Sequence, residues 1–132
     1  MKKEKLKEIF NKAVEQGGVT FLGDFVEGGP YYSVSLWPHK CFCFPVQHCS
    51  WKDVKRFVKA NEDFLEKPNI ALGLWIDRTG MIYENLCIDL VMIFEHRDIT
   101  KAGMRQLAFA FGQKAFFNHD TGQVLESNPY SY

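Results

Sequence analysis

Residues 87–94 have the sequence Cys-Ile-Asp-Leu-Val-Met-Ile-Phe, an apolar run that contains one aspartate. Because successive side chains of a β-strand point to opposite faces, such a run places apolar groups on both faces of a sheet. We therefore predict that it is the second half of a long central strand that begins near Met81. A turn over residues 77–80 joins it to another predicted strand over residues 70–76.

Three amphipathic helices are predicted from apolar residues that recur at three- and four-residue spacing. The first spans residues 3–16 and ends at Gly17, because glycine readily adopts the left-handed conformation that follows a helix. The second begins at Ser50, which has an acidic residue three positions later, a variant of the capping box. The third begins at Asp98 or Thr100.

Two β-hairpins complete the predicted elements. Residues 31–37 alternate between two faces and are expected to pair with residues 41–44, because residues 38–40 form a turn that contains proline. Residues 115–118 and 123–126 form the last hairpin. Tight turns of this kind make neighbouring strands antiparallel.

These elements predict an α+β fold. A mainly antiparallel sheet of about five to seven strands carries about three helices, packed mostly on one face. The sequence contains no internal repeat, low-complexity segment or break in composition, so a single domain is predicted over residues 1–132. Residues 127–132 are expected to form a flexible tail.

Charge and hydropathy exclude several classes of protein. The chain has 132 residues, of which sixteen are basic and sixteen are acidic, so no overall field attracts it to nucleic acid or to an anionic membrane. Its first residues are positively charged but lack a following apolar segment, and no apolar run is long enough to cross a bilayer. We therefore predict a cytoplasmic protein without a membrane partner.

The cysteines are crowded, since three of the four fall within nine residues, and a disulfide framework normally spreads its cysteines. We predict reduced thiols. Thiolates and imidazoles are the preferred ligands of zinc, so residues 39–49 are a candidate metal site. The spacing is not that of a zinc knuckle, and buried apolar cysteines are the favoured alternative. The candidate ligands are His39, Cys41, Cys43 and Cys49, with His48 as a substitute.

Two residues are candidates for the centre of a small enzyme. Cys49 lies just before a predicted helix, where the helix dipole lowers the pKa of a thiol. Asp89 lies in the apolar run, where burial raises the pKa of a carboxyl group unless it has a partner. His48 precedes Cys49, and His39 or His96 could serve as its base, but no sequence pattern marks Cys49 as a nucleophile. No second carboxylate is placed beside Asp89, and the favoured interpretation is that it lies where one face of the sheet meets solvent or that it caps a loop. We therefore predict no catalytic residues.

A basic stripe and several aromatic residues are candidates for partner binding. Lysine and arginine side chains lie on one side of the second helix, and tryptophans lie at the ends of two predicted strands. A solvated helix face and packed aromatic rings are the simpler interpretations. The candidate contact residues are Lys52, Lys55, Arg56, Lys59, Trp37 and Trp75.

The C-terminal half has a recognisable order of motifs. Gly73-Leu74-Trp75-Ile76-Asp77 precedes a strand with Ile88-Asp89-Leu90, and a helix leads to Gly112-Gln113-Lys114-Ala115-Phe116-Phe117 and a hairpin that ends Gly122-Gln123-Val124. This half resembles small accessory proteins of phages, prophages and plasmids. The resemblance implies obstruction of a host protein or a defence system by direct binding, and it implies no catalytic residues.

The leading prediction is a non-enzymatic interaction module from a mobile element that binds a macromolecular partner. A protein is favoured as partner over a nucleic acid, because the chain lacks a basic excess. The alternatives are a small cysteine and histidine metal-binding protein and a small enzyme. The edge strand of the last hairpin also leaves a homodimer open.

Overall fold

The structure is a computed structural model, and it describes residues 1–35, 37, 40–78 and 83–128. Within these residues it has four helices and a seven-stranded antiparallel sheet, so the predicted α+β fold is confirmed. The helices are α1 (Lys3–Gln16), α2 (Trp51–Ala60), α3 (Glu62–Leu65) and α4 (Lys101–Ala110). The strands are β1 (Gly18–Phe21), β2 (Tyr31–Ser35), β3 (Phe42–Pro45), β4 (Ile70–Asp77), β5 (Asn85–Glu95), β6 (Ala115–Asn118) and β7 (Gln123–Glu126).

Strand β5 lies at the centre of the sheet, as its two-sided apolar sequence predicts. One edge pairs with β4 over eight residues, and the other edge pairs with both β2 and β3. The strand order is β1-β4-β5-β2-β6-β7, with β3 on the same edge of β5 as β2. The last hairpin, β6 with β7, has the predicted bounds.

The predicted hairpin of residues 31–37 with residues 41–44 is wrong. Strand β2 pairs with residues 91–95 of β5, and β3 pairs with residues 85–88, so the two strands follow each other along one edge. Asp89 and Leu90 fall between these two pairings. Local alternation identifies a strand but not its partner, and the eleven residues of β5 are long enough to pair with both short strands.

The alternation of β5 separates the two faces of the sheet. Leu86, Ile88 and Leu90 point into the main core, where they pack with residues of α1 and α2. Helix α4 covers the same face further along, where Met104 and Ala108 pack against Tyr32 of β2. The described helices therefore lie on one face, and the other face of β5 carries Cys87 and Asp89.

Two helix ends confirm the capping predictions. Gly17 has a φ of +86°, and its N–H donates to the Ala13 carbonyl to close α1. At the start of α2, the Ser50 hydroxyl accepts from the Lys52 N–H at 3.2 Å. The Asp53 carboxylate in turn accepts from the Ser50 N–H at 2.9 Å.

The predicted flexible tail begins at Ser127, but this residue is buried and hydrogen-bonded. Ser127 is 1% exposed, its N–H donates to the Lys114 carbonyl at 2.9 Å, and its hydroxyl donates to the Gln113 carbonyl. The tail prediction for residues 129–132 lies outside the described residues. None of the described helices has the length and hydropathy needed to span a bilayer.

Phe57 of α2 holds β3 against the helical layer. It is fully buried, and the ring of Phe42 in β3 packs edge-on against it with 5.5 Å between ring centroids. We expect Phe57→Ala to lower the free energy of unfolding by about 3–5 kcal/mol, because it leaves a cavity in the core. Phe109→Ala, a change at a half-exposed ring of α4, is the control and should stay within about 0.5 kcal/mol. Urea unfolding measures both, and equal effects would contradict this packing.

Candidate metal centre

Three cysteines meet on the face of the sheet that carries no described helix. Cys43 of β3 and Cys87 of β5 are direct cross-strand partners, with 4.2 Å between their Cα atoms, and they are joined by a disulfide. Cys41 lies just before β3, and its Sγ is 3.7 Å from the Sγ of Cys43. The three sulfur atoms all lie within 4.8 Å of one another. We call this group the thiol cluster.

The thiol cluster differs from the metal site predicted over residues 39–49. Cys41 and Cys43 belong to it, but the third sulfur comes from Cys87, and Cys49 is not a member. Cys49 instead donates its S–H to the Pro45 carbonyl at 3.3 Å. His39 lies outside the described residues. His48 is exposed and is also not part of the cluster.

The disulfide is a further correction. The sequence predicted reduced thiols because the cysteines are crowded, and the structure joins Cys43 to Cys87. Forty-four residues separate the two, so spacing gave no sign of the pair. The only available signal was alternation, which places Cys87 on the face opposite Leu86 and Ile88.

The three sulfurs differ in their exposure to solvent. Cys43 is exposed, Cys41 is half-buried, and Cys87 is 1% exposed. Trp75 of β4 pairs with Cys87 across the opposite edge of β5, so the thiol cluster lies between an indole ring and the edge formed by β3. Reagents in solution therefore meet Cys43 first.

Burial raises the pKa of the Cys41 thiol to about 11, and the negative charge of Asp89 adds to the rise. Asp89 lies two residues from Cys87 on the same face and is 6% exposed. The neighbourhood therefore disfavours negative charge, and a bound cation is what would stabilise a thiolate there.

Burial also raises the pKa of Asp89, so its environment is the less favoured of the two that the sequence left open. Its Oδ1 accepts from the Leu90 N–H at 2.8 Å, which opposes the rise. The Ser35 hydroxyl forms no well-aligned hydrogen bond, so we treat it as a nearby dipole that also favours the carboxylate. The carboxylate is not a member of the 4.8 Å group, so we do not count it as a ligand.

The thiol of Cys49 does not have the lowered pKa that its position before a helix predicted. Its pKa is raised, first by burial and then by the charge of Asp53. The carboxylate that caps α2 is thus also a charge that disfavours a thiolate at the same helix end. A nucleophile needs the opposite shift, so this finding does not support an enzyme at Cys49.

A serine and a histidine form a second polar pair beyond the thiol cluster. The Oγ of Ser33 in β2 and the Nε2 of His119 are 2.9 Å apart, and each residue is 6% exposed. A serine nucleophile and its base share this geometry. Because both groups are buried and an attacking hydroxyl must reach its substrate, we interpret the pair as two buried polar groups that satisfy each other.

The candidate partner-binding residues divide into two groups. The four basic side chains of α2 are exposed, although Arg56 lies 3.8 Å from Asp53. Trp75 is 45% exposed. Trp37 instead packs against the core, with its ring centroid 5.6 Å from that of Phe64. The exposed basic residues are Lys52, Lys55, Arg56 and Lys59.

Comparison with protein-family models, with curated proteins and with solved structures finds no match for this chain. The resemblance of its C-terminal half to accessory proteins of mobile elements therefore stays a prediction.

His119 should make stability depend on pH. Burial lowers its pKa, and the nearby His96 lowers it further. Because the folded protein then binds fewer protons than the unfolded chain, stability is complete above the ordinary pKa of 6.5 and falls as the pH drops toward the lowered value. Urea unfolding of the wild type and of His119→Gln between about pH 7.5 and about pH 5 measures this loss of stability. The range ends at about pH 5 because ordinary carboxyl groups titrate below it. Parallel curves for the two proteins would contradict the assignment to His119.

Proposed function

We propose that this chain is a small metal-binding protein that holds one zinc ion through the reduced thiol cluster. The observation that carries the proposal is the mutual approach of three sulfurs, from Cys41, Cys43 and Cys87, to within 4.8 Å. Strand β3 contributes Cys43, strand β5 contributes Cys87, and the segment just before β3 contributes Cys41, all on one face of the sheet. Cys87 thus takes the place of Cys49, which lies outside the thiol cluster.

The separation of the Cys41 and Cys43 sulfurs suits zinc. A tetrahedral zinc ion with Zn–S bonds of about 2.3 Å places neighbouring sulfurs about 3.8 Å apart. The Sγ atoms of Cys41 and Cys43 are 3.7 Å apart. Cys43 and Cys87 are adjacent across two paired strands, so reduction of their disulfide frees two more ligands within the same space.

The chemistry of binding is a proton exchange. Three thiols lose three protons to become ligands, and zinc offsets most of the negative charge that their surroundings disfavour. Three protein ligands leave the fourth tetrahedral position to a water molecule or to a further ligand. The sheet keeps two of the three ligands in register whether or not an ion is bound.

Zinc content tests the proposal. The untagged protein, purified under reducing conditions, should contain one zinc ion per chain by mass spectrometry of its metals. Cys41→Ser and Cys87→Ser should each lose most of it, because two thiolates hold zinc far more weakly than three. Cobalt substitution should give the intense sulfur-to-metal absorption of a thiolate site.

Cys49→Ser is the matched control, because Cys49 is a free cysteine outside the thiol cluster. It should keep the zinc content of the wild type. A folded, reduced wild type that contains no zinc would overturn the proposal. Loss of zinc from Cys49→Ser, with zinc retained in Cys41→Ser and Cys87→Ser, would also overturn it.

We propose a second function on a different surface, namely that the chain is the interaction module that the sequence predicts. Lys3 and Lys7 of α1 lie over the ring of Trp51, at 5.4 and 5.6 Å from its centroid. They extend the exposed basic stripe of α2 onto the neighbouring helix. We call the combined area the basic surface; it consists of Lys3, Lys7, Lys52, Lys55, Arg56 and Lys59.

The basic surface suits an acidic patch on a partner protein. Its charge is local, since the whole chain has no net charge, and attraction of this kind speeds association and selects the partner. An origin in a phage, prophage or plasmid, which the C-terminal resemblance implies, is consistent with a protein that binds a host component directly.

Charge reversal tests the second function. Lys55→Glu, Arg56→Glu and Lys59→Glu, combined, should lower the recovery of a partner captured from host lysate by about tenfold or more. The control combines Lys67→Glu, Lys101→Glu and Lys114→Glu, which are exposed elsewhere and change the net charge equally. Quantitative mass spectrometry compares the two. Equal recovery would remove the basic surface from the function.

A further inference from the structure

We propose that oxidation of the thiol cluster releases its zinc ion, with Cys43 as the thiolate that first attacks the oxidant and Cys87 as the thiolate that completes the disulfide. The proposal rests on the proposed zinc site. It assigns a redox modification to two named cysteines and makes zinc occupancy depend on a low-molecular-weight disulfide as oxidant.

The two states use the same sulfurs. Cys43 and Cys87 are members of the group that would hold the metal, and they are also the pair that the structure joins. A sulfur in a disulfide has given up its thiolate charge and is a poor ligand for zinc. Once the disulfide forms, Cys41 is the one sulfur of the cluster that can still bind zinc as a thiolate, and a single thiolate does not retain the ion.

Exposure sets the order of attack. The side chain of Cys43 is exposed, whereas Cys87 lies beside Trp75 and is 1% exposed. An oxidant disulfide from solution therefore reaches Cys43. The Cys43 thiolate attacks one sulfur of the oxidant, forms a mixed disulfide and expels the first thiolate of the oxidant.

Pairing in the sheet then selects the second step. Cys87 is the cross-strand partner of Cys43, with 4.2 Å between Cα atoms, which is a separation typical of the closely spaced pairs of an antiparallel ladder. Its thiolate attacks the Cys43 sulfur of the mixed disulfide and expels the second thiolate of the oxidant. Two cysteine thiolates have lost two electrons, and the oxidant has gained them as two thiolates.

Cys41 is the competitor in that step. Its Sγ is 3.7 Å from the Cys43 Sγ, but it lies in the same chain segment two residues away and not across the strand pair. Its role in the proposal is therefore to hold zinc, while Cys87 serves both states. Substitution of Cys41 should therefore affect zinc binding alone, whereas substitution of Cys87 should affect both zinc binding and disulfide formation.

The experiment uses the reduced, zinc-loaded protein and oxidised glutathione. A chromogenic chelator follows zinc, and peptide mapping with mass spectrometry identifies the disulfide at each time. We expect one zinc ion per chain to be released at the rate at which the Cys43–Cys87 disulfide appears. Reduction with a dithiol and added zinc should restore the starting state.

Two variants make the assignment specific. Cys41→Ser should bind little zinc but should still form the Cys43–Cys87 disulfide, which shows that the pair does not depend on the metal. Cys49→Ser should release zinc and form the disulfide as the wild type does. Far-ultraviolet circular dichroism shows that each variant is folded.

The outcomes that overturn the proposal are distinct from failure of the zinc site. Zinc that stays bound after oxidation, or release that accompanies a Cys41–Cys43 disulfide or a lasting mixed disulfide at Cys43, overturns it. A reduced protein without zinc overturns the proposed function itself, and this is seen before any oxidant is added.

Discussion

Strand β5 requires hydrogen-bond partners along both edges, and the rest of the structure follows from how they are supplied. One edge is covered by the single long strand β4, whereas the other edge is covered by two short strands placed end to end. A buried backbone group without a partner is costly, so the chain between residues 31 and 45 contributes two separate strands to this edge. That arrangement brings β3, with its cysteines, beside Cys87.

The alternation of β5 then assigns a different task to each face. Leu86, Ile88 and Leu90 anchor the helices, and Phe42 of β3 packs its ring on Phe57 of α2, so the same helical layer holds both strands that carry the thiol cluster. The opposite side chains, among them Cys43 and Cys87, meet on the face without a described helix. The cluster is thus rigid at its base and open to solvent at Cys43.

The two proposed functions use opposite sides of the molecule. The basic surface lies on the outer side of α1 and α2, and the thiol cluster lies beyond the sheet from these helices. Binding of a protein to the helices would leave Cys43 accessible, and binding of zinc would leave the lysines free. The two proposals can therefore hold together or fail separately.

Sequence patterns alone determined the fold class, the bounds of α1 and of the last hairpin, the cap of α2 and the central place of β5, because periodicity and capping are properties of neighbouring residues. They also marked Asp89 as a carboxylate whose pKa would rise if the strand buried it. Only the tertiary structure decided that β2 and β3 pair with β5, that Cys87 joins Cys41 and Cys43, and that Trp37 is packed while Trp75 is exposed. Each of these depends on which distant strand or helix meets a residue, and a chain segment's own pattern does not specify its partner.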